Sequence, residues 1–169
     1  DGTVWIWDAI TGNVFSTIQM NRTLDSRQAY DLEIWSITWS PDEKFLATGG
    51  GDGYIRVWEL ESGKQTIELK GHDQVVTFLS WSPMGDHLVS AGADGKARIW
   101  NVKADNMVLS LPYYSTTAKW SPDGTYIVAA ASPDAENIFA GSVSVWNFKT
   151  GKLVFETHVD KDENWGWVL

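Results

Sequence analysis

"GHDQVVTFLSWSPMGDHLVSAGADGKARIWN", residues 71–101, holds three short alternating runs separated by two turns. In "VVTFLSW" (75–81) apolar and polar residues exchange with a period of two, the signature of a half-buried strand. "SPMGD" (82–86) reads as a Pro/Gly turn, "HLVSAG" (87–92) as a second strand and "ADG" (93–95) as a tight turn. "KARIWN" (96–101) is a third strand, and "MVLSL" (107–111), after a polar loop, a fourth and outer one. Asp-Gly between two alternating runs is a strong hairpin signal, because glycine tolerates positive φ. Four short strands in about 40 residues predict one antiparallel sheet and no helix.

The pattern recurs along the chain. "DGTVWIWD" (1–8) and "DGYIRVWE" (52–59) match "DGKARIWN" (94–101). Trp7, Trp58, Trp100 and Trp146 each end an alternating run, at spacings of 51, 42 and 46. A second series, "WSP", begins at Trp39, Trp81 and Trp120, at spacings of 42 and 39. The two series interleave, so one unit is about 40 residues plus loop insertions. Sheets that cannot close their own core must stack on neighbours.

The 169 residues, 43% hydrophobic and 21% charged, are globular in composition, and a chain this long can bury roughly 70% of its unfolded surface. The net charge of −9 argues against a general nucleic-acid backbone binder and against an anionic membrane surface, both of which need a basic footprint. The cations of "RVW" and "ARIW" look scattered singly. There is no cysteine, which excludes disulfides, thiolate catalysis and Cys-ligated zinc and is compatible with a reducing compartment such as the cytoplasm. No apolar run approaches the ~18 residues of a membrane span.

The ordered set "GH" (71–72), "WSP", "DG" and a strand-ending Trp followed by Asp, Glu or Asn resembles the WD40 repeat family of β-propellers, over almost the whole chain. The resemblance implies an all-β fold of four-stranded antiparallel blades, in a ring that residues 1–169 leave incomplete. Residues 1–18 would supply the end of one blade, 33–69, 75–111 and 115–157 three full blades, and 163–169 the start of a further one. It also implies a buried hydrogen-bonded chain in each blade, here His72, Ser90, Asp94 and Trp100. The residue types suit it: indole donates, hydroxyl and neutral imidazole donate and accept, carboxylate accepts. The preceding copy keeps Thr48, Asp52 and Trp58 but has Tyr30 at the His position. The following copy has Leu111 for His and Ala129 for Ser, and replaces Asp-Gly by "SPDAENIFAGS" (132–142). It therefore reads as a network largely exchanged for apolar packing. His158 is a candidate start of another copy, with "ENWGWVL" (163–169) as its inner strand.

His72, Ser90 and Asp94 also match the residue types of a nucleophilic triad, but that needs an exposed Ser, an oxyanion hole and a cleft. Ser90 lies mid-strand, so the structural role is expected and no enzymatic activity. The three His, at 72, 87 and 158, lack metal-ligand spacing, and "DKDEN" (160–164) lacks the Gly and ligand alternation of a calcium loop. No metal or cofactor is expected. Trp39, Trp81 and Trp120 are expected to pack between blades, Trp5 to sit on the other blade face from Trp7, and Trp165 and Trp167 to be more exposed. A tryptophan-docking propeller of the quinone-dependent dehydrogenase kind would use Trp for the same purpose, but the Asp-Gly turns fit WD40 better.

Members of the family usually bind partners on the face carrying the loops into each inner strand and the second-to-third-strand turns. Carried over by position, Glu33, Val75, Tyr114 and Trp167 face that side, joined by Gly51 and Ala93. Aromatics there are candidate anchors. Two insertions, 17–34 and 132–142, lie on or near the same face. The expected function is a non-catalytic scaffold for a protein or peptide. The alternative is a sensory or regulatory propeller fused to a catalytic domain outside these residues. The chain is expected to be a piece of a larger propeller, or to self-associate to complete one.

Overall fold

In the computed structural model, residues 3–19, 33–111, 115–131 and 141–158 are described. They form fourteen strands and, among the described residues, no helix. β1 (Thr3–Trp7) and β2 (Val14–Gln19) pair alone. β3 (Ile34–Trp39), β4 (Phe45–Gly50), β5 (Tyr54–Glu59) and β6 (Lys64–Lys70) make the first four-stranded sheet. β7 (Val76–Trp81), β8 (His87–Gly92), β9 (Ala97–Asn101) and β10 (Asn106–Leu111) make the second. β11 (Ser115–Trp120), β12 (Tyr126–Ala131), β13 (Ser142–Asn147) and β14 (Lys152–His158) make the third. Every pairing is antiparallel and between consecutive strands.

Alternation along the strands explains how the sheets stack. Successive side chains point to opposite faces, and both faces of the middle strands are buried. Leu46 therefore joins Val4, Ile6, Ile18 and Trp58 on one side, while Ala47 joins Ile55, Val57, Leu79, Trp81 and Trp100 on the other. One sheet later, Leu88 and Val89 divide in the same way, Val89 meeting Ile99, Ile127 and Trp146. Each such aliphatic side chain contributes roughly 1.5–3 kcal/mol by leaving water. The core is thus three inter-sheet layers.

A bulge repeats opposite each strand-ending Trp. Trp7 pairs with Val14 and Ile6 with Ser16, so Phe15 is extra; Thr66, Val108 and Val154 are extra in β6, β10 and β14. Bulges twist an outer edge and discourage edge-to-edge pairing.

The tryptophans depart from the sequence expectation at one end. Trp81 is 7% exposed and Trp120 is partly buried, but Trp39, at the same place in its repeat, is 50% exposed. Trp81 shares a core cluster with Ala47 of the preceding sheet's β4, and Phe45 packs against that cluster. The β1–β2 pair has no strand in that position among the described residues, so Trp39 has no such cover. Trp58 is buried against Val4, Ile6 and Ile18 of the preceding sheet, whereas Trp7 is 59% exposed, no sheet before β1 being among the described residues. Trp5 lies on the same face as Trp7, not the other, and their rings stack 6.2 Å apart.

The turn after each "WSP" needs a left-handed residue. Gly85 and Gly124 supply it at φ 70°, but Glu43 takes it at φ 59°. A side chain in that conformation costs about 1 kcal/mol. Glu43→Gly is therefore expected to raise the unfolding free energy by about 1 kcal/mol, read from the urea midpoint.

Candidate functional site

The turn between β8 and β9 places Asp94 beside His72, which lies in the segment entering β7. His72 Nδ1 is 3.0 Å from Asp94 Oδ1 and His72 Nε2 is 2.7 Å from Ser90 Oγ, while Trp100 Nε1 donates to Ser90 Oγ at 2.8 Å. An ionised carboxylate only accepts, so the ring carries its proton on Nδ1 and Nε2 accepts from the Ser90 hydroxyl. The chain then runs unbroken from Trp100 through Ser90 and His72 to Asp94. Asp94 also accepts the backbone N–H groups of Asp73 at 3.1 Å and Lys96 at 3.2 Å. Gly92 makes this approach possible, because a Cβ there would overlap His72 Nδ1 and Asp94 Oδ1.

Arg98 belongs to the same cluster and the sequence reading missed it. Its Nη1 donates to Asp94 Oδ2 at 2.7 Å; with the ring proton on Nδ1, the 2.7 Å approach of Nη1 to His72 Nδ1 brings two N–H groups together and is not a hydrogen bond. The Arg98 side chain is 6% and the Asp94 side chain 4% exposed. The signal was present: Arg56 and Arg98 both stand four residues after the turn Asp and two before the Trp. They are paired cations inside the fold, not scattered surface charges.

Burial alone would raise the Asp94 carboxyl, but the His72 ring, the Asp73 N–H and the Arg98 guanidinium outweigh it and hold it at about 2. Burial lowers the His72 ring below its ordinary value, and Asp94 only partly offsets this. In both cases the unfolded chain binds more protons than the folded one, so stability falls on acidification. Lowering pH through about 6.5 charges unfolded His72 first, and the Asp94 contribution is lost between about 4 and 2. Urea unfolding at pH 7 and 5 should show this loss, with a flatter dependence in His72→Gln.

The neighbouring sheets solve the same problem differently. Trp58 Nε1 donates to Thr48 Oγ1 at 3.0 Å, and Asp52 Oδ2 accepts from Arg56 Nη2 at 2.7 Å. Arg56 Nε also reaches Glu68 Oε2 at 3.1 Å. Tyr30, proposed for the His position, lies outside the described residues. In the last sheet the Ala129 side chain has no acceptor, and Trp146 Nε1 donates instead to Ser144 Oγ at 2.9 Å, which in turn donates to the Ala129 carbonyl at 3.4 Å. The network expected to be largely exchanged for apolar packing thus keeps one polar link: Ser144 occupies, on β13, the position held by Arg56 and Arg98.

The geometry is unlike a nucleophilic site. Ser90 is fully buried, and its hydroxyl is engaged by both His72 and Trp100. Among the described residues no group of three or more His, Cys, Asp or Glu side chains is placed to hold a metal ion. No helix there is long and apolar enough to cross a membrane.

Of the face residues, the structure brings two pairs together. Gly51 N–H donates to Glu33 O and Ala93 N–H to Val75 O, both at 2.8 Å. Glu33 and Ala93 are exposed, Gly51 and Val75 half-buried. Tyr114 and Trp167 lie outside the described residues, as does most of each insertion.

Stacked four-stranded antiparallel sheets joined through shared inter-sheet cores define β-propeller blades, in an arc that does not close. One solved chain, from Kuenenia stuttgartiensis hydrazine synthase, superposes with a TM-score of 0.79 over 96% of this chain and 45% of that one. At 18% identity this likeness concerns the fold alone. The family profile "WD domain, G-beta repeat" matches residues 21–59 and 63–101, so the chain carries WD40 repeats at these two positions. It is 46% identical over 54 residues to the general transcriptional corepressor TUP1 of Saccharomyces cerevisiae, covering 32% of this chain and 8% of that protein. It is 28% identical over 159 residues to the anaphase-promoting complex subunit cdc20 of Dictyostelium discoideum, covering 92% of this chain and 30% of that protein. The chain thus spans less than a third of either relative.

Proposed function

We propose that the chain is a non-catalytic interaction scaffold that binds a protein or peptide on the face formed by the loops entering each inner strand and the turns after each second strand. The observation that carries this is the repeated pairing of Glu33 with Gly51 and of Val75 with Ala93. It sets the same loop and turn side by side on adjacent blades, so one extended partner meets equivalent positions in succession. Loops held on a rigid scaffold are where recognition is built. The names of the relatives, a corepressor and a subunit of a large complex, fit a role in assemblies. Tyr114 and Trp167 belong to the proposed face as anchors, and the blade limits 33–69, 75–111 and 115–157 belong to the same reading. The His72–Ser90–Asp94–Trp100 and Thr48–Asp52–Trp58 sets brace the scaffold.

Affinity capture from the source cell, compared between the wild type and Glu33→Lys/Val75→Glu, tests this reading. Partners should be lost from the variant while its circular dichroism and unfolding midpoint stay unchanged. Identical partners at identical yield would remove this face from the account.

A further inference from the structure

The outer strand of each sheet turns one edge to solvent, and the sheets differ in what they put there. Seven and eight residues after the strand-ending Trp, β10 carries Met107 and Val108 and β14 carries Leu153 and Val154. Met107 and Val108 are 48% and 49% exposed, Leu153 and Val154 39% and 56%. The sheet of β10 has a four-stranded sheet packed on either side of it, yet its pair is as open as that of β14. The exposure therefore belongs to the outer edge of a blade and not to the end of the arc. The two pairs are neighbours. A Cβ on Gly151, which leads into β14, would stand 3.7 Å from the Cδ2 of Leu109, the residue after Val108.

Both pairs lie beside cations. Lys103 and Lys149 stand three residues after their Trp, at the turn into the outer strand, and Lys152 opens β14. All three are exposed, and among the described residues none forms an ion pair. Residues 101–111 and 147–157 hold these three lysines against two carboxylates, Asp105 and Glu156, in a protein of net charge −9.

β6 supplies the contrast within the same molecule. Gln65 and Thr66 stand at the positions of the apolar pair and Glu61 at that of Lys103 and Lys149, and residues 59–70 hold three carboxylates against two lysines. Thr66 Oγ1 donates to the Val57 carbonyl at 3.2 Å, so its side chain is used inside the sheet, which a valine cannot do. β2 has an apolar pair, Val14 and Phe15, but its turn carries Asp8 and no cation, and the sheet of β6 separates it from β10. The apolar pairs and the lysines coincide only on β10 and β14.

From this we infer that the outer edges of β10 and β14 together dock an amphipathic helix of another protein, one whose apolar stripe is flanked by Asp or Glu. Both strands are bulged at the pair, at Val108 and Val154, which interrupts the row of edge groups that an added strand would need. A helix satisfies its own backbone and offers side chains alone. Apolar residues at i, i+3, i+4 and i+7 cover Met107, Val108, Leu153 and Val154, and the flanking carboxylates meet Lys103, Lys149 and Lys152. An anionic bilayer has the same apolar and acidic chemistry, but it is an extended surface that meets the whole negative protein. A single helix meets only the patch, within about one Debye length of ~8–10 Å.

Calorimetric titration of residues 1–169 with the blocked peptide Ac-SEALEELLEALEES-NH2 tests the inference. Heat should saturate with a Kd below about 1 mM. Lysine in place of the glutamates, or the same residues with the leucines spread round the helix, should weaken binding at least about tenfold. Two variants carry residues that β6 and its turn hold at these positions. Lys103→Glu/Lys149→Glu should weaken binding about tenfold or more and leave the urea midpoint unchanged. Met107→Gln/Val108→Thr/Leu153→Gln/Val154→Thr should do the same with native circular dichroism. No binding at ~1 mM, equal binding of the spread peptide, or unaffected binding in either variant would overturn the inference. So would sedimentation with phosphatidylserine vesicles that the lysine variant abolishes, since the patch would then be a lipid site. A concentration-dependent dimer that the four-residue variant converts to monomer would overturn it too, because a second copy would then cover the edge. None of these variants touches Glu33 or Val75, so this result and that for the other face stand apart.

Discussion

Asp94→Ala is expected to lower the unfolding free energy by about 3–5 kcal/mol. The substitution removes one carboxylate and leaves several groups without their acceptor. Arg98 keeps its charge in a site where its side chain is 6% exposed. His72 loses the partner of its Nδ1–H, and the backbone N–H groups of Asp73 and Lys96 lose theirs. Removing one member of a buried ion pair is costly because the other stays desolvated. Urea unfolding followed by circular dichroism gives the number, and a loss below ~0.5 kcal/mol, typical of a surface site, would refute the brace. Asp52→Ala is the internal comparison. Its Arg56 is 12% exposed and retains Glu68 at 3.1 Å, so the expected loss is smaller, about 1–3 kcal/mol.

Trp81→Ala is expected to cost about 3–5 kcal/mol, and Trp39→Ala about 1 kcal/mol or less. The two residues occupy the same position in consecutive repeats, each opening a "WSP" turn. Trp81 is 7% exposed in the core layer that holds Ala47, Val57, Leu79 and Trp100. Its removal leaves a cavity that the rigid β-layers on both sides cannot close. Half of Trp39 already faces solvent, so its truncation removes less apolar contact. Equal losses in the two variants would mean that Trp39 is covered in solution.

Much of the candidate site was legible in the chain because its parts are local words. The Asp-Gly turn, the alternating run and the terminal Trp sit within eight residues, and the hairpin they encode brings Asp94, Ser90 and Trp100 to one end of a sheet. His72 was found through the resemblance to the WD40 repeat, in which a His precedes the first strand; the flanking copies have Tyr30 and Leu111 there. Arg98 escaped because a cation in an alternating strand reads as a solvated side chain unless its carboxylate partner is known. Here that partner stands four residues back across a tight turn. Ser144 escaped for a related reason: the expectation followed the second strand, where Ala129 stands, and the acceptor for Trp146 came from the third.

By itself the sequence determined the strand order and the antiparallel blades, which follow from period-two patterning and turn chemistry within about 40 residues, while the residues of the hydrogen-bonded chain came from its resemblance to the WD40 repeat. Only the tertiary structure decided which of the repeated tryptophans are buried among the described residues and which arginines are neutralised inside the fold. Burial is set by what lies across the layer from a side chain. That neighbour comes from the preceding repeat, so identical words at Trp39 and Trp81 acquire different surroundings.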